Sequence, residues 1–474
     1  MFSKKQLLLF VLLLVFLPFA LLLTKLGARI WPRAEMIPAN VVVDAQGVLG
    51  LMPEPWRALA QGGEDEGRAE IGPVINPVVN LKPAYIRIDH LYDAYDLVSQ
   101  DKDGLITYDW NKLDRVVEDI LSTGALPFFS LSYMPPSLSR DGNPVNEPSS
   151  WNDWENLVQA TVEHFSGKDN KNLSGVYYEI WNEPDLFGHW NMGCSTWKIG
   201  CDADKDYKTL YYYSVIGATK ARNVNPFKIG GPATTGLYLS WVESLLDFCN
   251  EKKLKIDFLS WHRYQKDTQV FEDDIKTIEF LIEKYPQFAT LEKIISEWGS
   301  DSENSPLNDG VFAAAHTLAV VRRFLARIDW AFSFEVKDGR SSENQALWGR
   351  WGLLTHQDFG GKPKPRYYAL DWLNKLKGER LSLTGEGSSV SAIASKKGSK
   401  ILILLVNFDP EGRNFENVPV TITNLNSGNY RLKINQFLKE DYQVEDITVG
   451  PNGSLGRMFL MVPHFILLLE LSPL

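Results

Sequence analysis

Short apolar runs alternate with amphipathic segments along residues 40–378, and the apolar runs are typical of buried strands. They are rich in β-branched and aromatic residues, which suits strands that are covered on both faces. The predicted strands are Val41–Val43, Ala84–Asp89, Ala125–Leu131, Gly175–Trp181, Phe227–Gly230, Ile256–Trp261, Lys293–Glu297 and Trp330–Glu335.

Helical periodicity separates these strands. In the segment 151–165, apolar residues recur at the 3.6-residue spacing of a helix, and Ser149 or Ser150 is placed to cap its start. Further helices are predicted at Asp109–Ser122, Asp206–Asn223, Leu239–Lys253, Val270–Tyr285, Gly310–Arg327 and Arg366–Leu376. The first helix, within residues 51–80, is hard to recognise because that stretch is rich in Pro and Gly.

Eight strands that alternate with helices predict a closed (β/α)8 barrel, an α/β fold, over residues 40–378. An open, doubly wound parallel sheet is the alternative. No G-x-G-x-x-G motif follows an early strand, which removes the commonest reason to prefer that alternative.

The pattern of apolar and polar residues changes at residue 379. Short strand runs such as SSVSAIAS, KILILLVNF and HFILLLEL are separated by turn sequences such as DPEG and NSGN. Residues 379–474 therefore predict an all-β sandwich domain that follows the barrel.

The N-terminus carries an apolar run of 17 residues, Leu7 to Leu23, preceded by Lys4 and Lys5. This length is at the short end of what crosses a bilayer. No A-x-A-like pattern follows the run, so an uncleaved anchor over residues 1–30 is favoured over a cleaved signal peptide, with a linker at 31–39. The basic residues predict that the body of the protein is extracytoplasmic and contacts the membrane through this segment.

Composition excludes some partners. The formal net charge is −10 and no long basic run occurs, so a nucleic acid partner is not expected. Cys194 and Cys201 are close in sequence, which leaves a local disulfide open, and Cys249 falls in a helical segment. No Cys/His cluster has the spacing of a zinc site, and we expect no metal or cofactor.

Polar residues stand at the ends of the predicted strands, where the active sites of (β/α)8 barrels form. These residues are Arg87, Asp89, His90, Asn182, Glu183, His262, Tyr264, Glu297, Glu335 and Lys337. Glu183 and Glu297 would face each other across the barrel mouth. Paired carboxyl groups suit glycoside hydrolysis, because an oxocarbenium-like transition state needs an acid at the leaving oxygen and an anion near the anomeric carbon.

Several segments resemble glycoside hydrolase family 39, a family that includes β-xylosidases, α-L-iduronidases and some endoglycosidases that process exopolysaccharides. They occur in order from residue 84 to 376: AYIRIDHLYDAYDL, LPFFSLSYMPPSL, WNDWENLVQATVEHF, EIWNEPDL, LSWHRY, IISEWGSD and WGRWGLLTHQDFGGKPKPRYYALDWL. By this resemblance, Glu183 is the general acid/base and Glu297 the nucleophile of a retaining hydrolase. Retention implies carboxyl groups about 5–5.5 Å apart, against about 6.5–9.5 Å for inversion.

The residues around the pair have expected roles of their own. Asn182 offers an amide to the sugar 2-hydroxyl, and Arg87 and Tyr264 pair with Glu297 and keep it ionised. His262 sets the protonation of Glu183 or holds a sugar hydroxyl. The candidate sugar platforms are Trp190, Trp298, Trp348 and Trp351.

Two stretches depart from the pattern of the resembled family. Asp89-His90 stands where a His-Gly pair is expected, and the eighth strand, DWAFSFEVKDG, lacks the expected Trp-Thr/Ser-Phe-Ser-Asp pattern. Both changes fall where the central sugar is recognised, with His90 as a candidate contact. The sugar specificity therefore stays open.

These patterns predict an exported retaining O-glycosidase, similar to β-xylosidases, that acts on oligo- or polysaccharides. One alternative is an endo-acting glycosidase of exopolysaccharides. The other is a non-catalytic carbohydrate-binding or scaffold protein that kept the barrel.

Overall fold

The computed structural model describes residues 36–62, 71–192, 205–340 and 349–474. The predicted anchor at 1–30, most of the linker, Cys194 and Cys201 lie outside these ranges. Among the described helices, none has both the length and the apolar character needed to span a bilayer.

Eight parallel strands close into a barrel in the order β2, β3, β6, β7, β8, β9, β10 and β11. All strands of the described chain, numbered in order, are β1 (Val41–Leu51), β2 (Ala58–Gln61), β3 (Tyr85–Ile88), β4 (Val98–Gln100), β5 (Ile106–Tyr108), β6 (Leu126–Leu131), β7 (Val176–Ile180), β8 (Phe227–Thr234), β9 (Phe258–Tyr264), β10 (Glu292–Gly299), β11 (Trp330–Phe334), β12 (Glu379–Thr384), β13 (Val390–Lys397), β14 (Lys400–Asn407), β15 (Glu416–Thr423), β16 (Gly428–Gln436), β17 (Tyr442–Val449), β18 (Leu455–Met461) and β19 (Ile466–Pro473). The predicted barrel is confirmed.

Helices follow the barrel strands and cover them. Their bounds are Ile75–Asn80, Asn111–Ser122, Trp151–Phe165, Tyr207–Lys220, Leu239–Lys252, Gln269–Glu283, Val311–Phe324 and Pro365–Leu373. The helix Trp151–Phe165 buries the predicted stripe, and the Ser150 side chain caps it by accepting a hydrogen bond from the Asp153 amide at 3.3 Å. Serine at this position satisfies an amide that the first turn leaves without a partner.

Aromatic rings fill the lower part of the barrel interior. Phe128 on β6 stacks on Tyr177 of β7 with ring centroids 5.1 Å apart and meets Phe332 of β11 at 4.6 Å. Because side chains on a strand alternate between its two faces, the next inward residue on β7 is Glu179. The packed rings therefore close the barrel toward the amino ends of its strands, and polar side chains are left at the carboxyl ends.

The first predicted barrel strand was placed wrongly. Val41–Val43 belongs to β1, which pairs antiparallel with β12 and parallel with β15 outside the barrel. In β1 the burial alternates, with Val41 and Val43 fully buried and their neighbours half-buried, as expected for a strand with one covered face. The barrel starts instead at β2, whose four residues lie in the Pro- and Gly-rich stretch.

The C-terminal strands and β1 form one nine-stranded, hydrogen-bonded sheet in the order β17, β16, β19, β14, β13, β12, β1, β15 and β18. The all-β prediction is confirmed, although the strands form one continuous sheet. One face carries a buried apolar cluster with members from β1, β14, β16 and β18 and none from the barrel, so the sheet folds over and covers this face itself. The other face of β13 and β14 packs on the helix Val311–Phe324 through Ile393, Leu402 and Leu404.

A buried ion cluster fixes the segment that follows the last barrel strand. The Lys364 Nζ atom donates to Asp338 at 2.7 Å and to Asp309 at 2.9 Å, and Asp338 is fully buried. Asp338 also accepts a 2.8 Å hydrogen bond from the Gly352 amide. The pKa of Asp338 is raised to about 6, chiefly by burial, and the positive charge of Lys364 limits this rise. The cluster therefore holds the chain around Trp351 against the barrel.

We expect Lys364→Met to destabilise the protein by about 3–5 kcal/mol, since it leaves the buried Asp338 carboxylate without a cation. Lys362→Met is the matched control, because this neighbouring lysine is exposed. Thermal or urea unfolding of both variants measures the effect. Equal free energies of unfolding for the two variants would show that the cluster does not stabilise the fold.

Candidate active site

A cavity of about 710 Å³ opens at the carboxyl ends of the barrel strands. Its described lining residues are Gly62, Asp89, His90, Tyr133, Asn182, Glu183, Asp185, Leu186, Phe187, Thr235, Tyr264, Glu297, Ser302, Glu303, Phe334 and Trp351. Six of the ten polar strand-end residues singled out in the sequence thus share one cavity: Asp89, His90, Asn182, Glu183, Tyr264 and Glu297.

Arg87 lies beneath this cavity with only 1% of its surface exposed. Three of its nitrogens each donate a 2.7 Å hydrogen bond, to Glu179, Glu297 and Asn182. Burial alone lowers an arginine pKa, but the carboxylates of Glu179 and Glu297 overcome this effect and raise the pKa of Arg87. Arg87 therefore positions cavity residues and is not among the described residues that line the cavity, so it is not a direct substrate contact.

Glu183 pairs with His262. The His262 Nδ1 atom is 2.8 Å from the Glu183 carboxyl and 3.5 Å from that of Glu297, and the imidazole is fully buried. Burial lowers the pKa of His262, but the two carboxylates raise it by more, so the net direction is upward. The imidazole therefore lies between the two carboxyl groups and favours a negative charge on them, as expected for a residue that sets their protonation.

Glu297 accepts hydrogen bonds from two further groups. Arg87 donates to one carboxyl oxygen at 2.7 Å, and the Tyr264 hydroxyl donates to the other at 2.9 Å. Burial and the charge of Glu297 raise the pKa of Tyr264 well above its ordinary value, so the phenol stays protonated and remains a donor. The predicted pairing of Arg87 and Tyr264 with Glu297 is present in the structure.

The two carboxyl groups are close neighbours. One oxygen of Glu183, one oxygen of Glu297 and a His262 nitrogen all lie within 4.8 Å of one another. The pKa of Glu297 is raised to about 7, chiefly by burial. The charges of His262 and Arg87 oppose this rise, and the charge of Glu183 adds to it. Two carboxyl groups this close do not both ionise easily, so the pair retains one proton up to about neutral pH.

The same three groups offer the atoms that a metal ion would need. The Arg87 guanidinium already neutralises Glu297 from 2.7 Å away and would repel a divalent cation placed on that carboxylate. The donor set thus fits a metal ion poorly, and the absence of a cofactor remains a prediction.

The tryptophan predictions divide. Trp190 is 3% exposed and packs against Trp181 with ring centroids 5.2 Å apart, so its prediction as a sugar platform is wrong. Trp298 is likewise fully buried, against Phe324. Trp351 lines the cavity and stays a candidate platform, and Trp348 lies outside the described residues.

Other strand-end residues take distinct places. His90 lines the cavity, where its Nδ1 atom is 2.8 Å from Asp93 and its ring meets the edge of Tyr133. Glu335 and Lys337 are fully buried, and neither is among the described residues that line the cavity. Tyr133, which sequence reasoning missed, lines the cavity and accepts a 2.8 Å hydrogen bond from Asn182.

Glu179 was missed as well, and the sequence carried a signal for it. In the strand VYYEI it shares a face with Tyr177, two positions earlier, and Tyr177 lies in the barrel interior. A carboxylate on that face requires a cation, and Arg87 is the polar residue on the inward face of β3.

The comparisons with known proteins agree with this geometry. The family model described as "Glycosyl hydrolases family 39" matches residues 75–444. A β-xylosidase of Caldicellulosiruptor saccharolyticus is 27% identical over 362 residues, which are 68% of this chain and 68% of that protein. A β-xylosidase of Geobacillus stearothermophilus is 27% identical over 334 residues, which are 63% of this chain and 62% of that protein.

A solved structure, the family 39 enzyme of Xanthomonas axonopodis pv. citri, is similar in fold, with a TM-score of 0.74, 19% sequence identity, and coverage of 94% of this chain and 99% of that one. The family match extends over most of the chain and includes every barrel strand except β2. The chain therefore belongs to glycosyl hydrolase family 39 and is a glycosidase.

Proposed function

We propose that the protein is a retaining O-glycoside hydrolase, similar to β-xylosidases, in which Glu297 is the nucleophile and Glu183 the general acid/base. The observation that carries the proposal is the approach of the two carboxyl groups, with one oxygen of each within 4.8 Å. Retaining glycosidases have carboxyl groups about 5–5.5 Å apart, whereas inverting enzymes need about 6.5–9.5 Å to admit a water molecule. The two relatives named β-xylosidase support a β-xyloside as the class of substrate.

The hydrogen bonds support this division of roles. Glu297 receives a charged and a neutral hydrogen bond, from Arg87 and Tyr264, and both favour its ionised form. Glu183 has one described side-chain partner, His262, and 14% of its side chain is exposed to the cavity. Because Glu297 is the better stabilised anion and Glu183 is the more exposed carboxyl group, we assign to Glu183 the role of the proton donor to the leaving group.

The reaction follows from these protonation states. Glu183 protonates the departing glycosidic oxygen while the Glu297 carboxylate attacks the anomeric carbon, which forms a glycosyl-enzyme. Glu183, now ionised, removes a proton from water as the water displaces Glu297 and restores both groups.

Asn182 is oriented for a contact with the sugar 2-hydroxyl. Its carbonyl oxygen accepts from Arg87 and its amide nitrogen donates to Tyr133, each within 2.8 Å, so the side chain cannot flip without losing both. The amide nitrogen has a second N–H group for the sugar. Such contacts tighten in the transition state of glycoside hydrolysis.

An endo-acting hydrolase of exopolysaccharides remains the alternative within this mechanism. A closed pocket favours release of terminal sugars and an open groove favours internal cleavage. Leu186 and Phe187 line one side of the cavity, and residues 193–204 lie outside the described ranges. Oligosaccharide substrates of increasing length therefore belong in the experiment.

From the sequence of residues 4–23 alone, we also propose an extracytoplasmic protein attached to the membrane by its N-terminal segment, with secretion after cleavage as the alternative. Fractionation of cells into membrane and soluble parts is the direct test.

We expect Glu297→Gln to lower kcat/KM by more than about 1,000-fold on every aryl glycoside, because it removes the nucleophile. Glu183→Gln should lower kcat/KM by about 100- to 10,000-fold on substrates with poor leaving groups and far less on dinitrophenyl glycosides, which need no acid. Aryl xylosides, glucosides, galactosides, arabinosides and iduronides form the panel, with xylo-oligosaccharides beside them.

Two further readouts distinguish the mechanism. Proton NMR of the first product should show the anomeric configuration of the substrate, and azide should restore turnover to Glu183→Gln with formation of a glycosyl azide. An inverted product, or unchanged turnover by Glu297→Gln, would refute the assigned roles.

The pH dependence follows from the raised pKa of Glu297, about 7, which reflects the last proton of the pair. As pH rises through this value the pair becomes fully ionised and loses its acid, so we expect kcat/KM to fall on the alkaline side. Glu183→Gln, measured on dinitrophenyl glycosides, should lack this alkaline decline. An alkaline decline that persists in this variant would place the titrating group elsewhere.

Substitutions in the Arg87–Glu179 pair should affect the folding free energy and the catalytic activity differently. Arg87→Met should cost about 3–5 kcal/mol of folding free energy, since Glu179 becomes a buried carboxylate without its cation. The double variant Arg87→Met/Glu179→Met should regain much of the stability but little of the activity, because Glu297 still lacks the charged donor and keeps only the Tyr264 hydroxyl. Urea unfolding and kcat/KM of Arg87→Met, Glu179→Met and the double variant test this. Simple additivity of the stability effects of the two single variants would contradict it.

A further inference from the structure

Asp89 is a buried acid in the wall of the cavity, and the proposed mechanism does not use it. It follows the last residue of β3, Ile88, and only 6% of its surface is exposed. Its Oδ1 atom accepts a hydrogen bond from none of the described residues. A buried carboxylate oxygen is costly without a donor. Asp89 lines the cavity, so a bound ligand can supply that donor.

The Arg87 guanidinium does not supply that donor. Arg87 lies two positions earlier, and its charge and that of Asp89 attract each other. The hydrogen bonds of the guanidinium nevertheless go to Glu179, Glu297 and Asn182. Asp89 thus lies beside the catalytic centre with the capacity to accept a further hydrogen bond.

The cavity around Asp89 is acidic. Among its described lining residues, no side chain is a lysine or an arginine, and His90 is bonded to Asp93. The carboxyl groups in the described lining are Asp89, Glu183, Asp185, Glu297 and Glu303. A carboxylate on the substrate would meet like charges of this wall at short range, and that repulsion is strong where water is excluded.

We propose that Asp89 accepts a hydrogen bond from a hydroxyl of the sugar held beside Glu183 and Glu297, and that its charge makes the enzyme select uncharged sugars over uronic acids. The inference rests on the proposed function, because that function places the sugar beside this pair. Asp89 also stands at one of the two positions where the sequence departs from the resembled family pattern. The selection is therefore a property of this chain's own residues.

Hydrolysis of a matched substrate pair tests the selection. An aryl β-glucoside has a hydroxymethyl group where the corresponding β-glucuronide has a carboxylate. The ratio of their kcat/KM values therefore measures how strongly the enzyme discriminates against the charged sugar. The wild type should prefer the glucoside by at least about 100-fold, since repulsion and an unpaired buried acceptor both act against the uronide. Asp89→Asn should lower kcat/KM for the glucoside by about 10- to 100-fold and narrow the ratio by at least tenfold.

Two further variants control this result. Asp103→Asn makes the same chemical change on an exposed carboxylate of the β4–β5 hairpin and should leave both rates within about threefold of the wild type. Asp89→Ser removes the charge with a smaller side chain and replaces Asp89→Asn if that variant does not fold, as judged by circular dichroism.

Direct binding separates this inference from the proposed function. Calorimetry with Glu183→Gln and with Glu183→Gln/Asp89→Asn measures the affinities for xylose, glucose and glucuronate without turnover. The expected result is that the single variant binds a neutral sugar more tightly than glucuronate and the double variant loses this preference. This result together with no hydrolysis by the wild type would overturn the proposed function and leave the role of Asp89 standing.

Three outcomes would overturn the role of Asp89. They are hydrolysis of the glucuronide at the rate of the glucoside, a substrate ratio that is unchanged in the Asp89 variants, and binding of neither neutral sugar by Glu183→Gln. The first two leave the glycosidase mechanism intact, because turnover continues.

Discussion

The burial of one guanidinium under the barrel mouth organises the catalytic centre. Arg87 cannot remain charged in that position without partners, and it receives them from three directions at equal distances of 2.7 Å. Glu179 balances its charge from β7, Glu297 accepts from β10, and Asn182 follows the end of β7. Because the three partners stand on a closed barrel, the registry of its strands fixes the atoms that surround the sugar.

The electrostatic balance at this point explains why a proton stays in the site. Arg87 and the imidazole of His262 face the carboxyl groups of Glu179, Glu183 and Glu297, so ionisation of all the acids would leave an excess of negative charge in a buried space. Asp89 adds to that excess and raises the pKa of Glu297 further. Acidic surroundings thus serve two purposes: they retain the catalytic proton and they disfavour an anionic substrate.

Most barrel strands were predictable because parallel strands covered on both faces carry apolar runs, as β7 does. It failed at β2, because four residues, ALAQ, carry too little hydrophobic signal to identify a strand. The prediction for β1 is wrong because a short run of valines fits a strand with one covered face as well as it fits a barrel strand. Only three-dimensional packing separates Trp351 at the cavity from Trp190 and Trp298 in the core, since composition does not tell which face of a segment a ring occupies.

The pairing of β1 with β12 makes the barrel an insertion within the β-sheet domain. Leu51 and Glu379 are partners across these two strands, so residues 52–378 leave the sheet and return to it at the same place. During synthesis β1 emerges first, yet its neighbours β12 and β15 follow only after the whole barrel. The sheet is therefore completed last, and the two ends of the barrel are held together by hydrogen bonds that form only when every catalytic residue has been made.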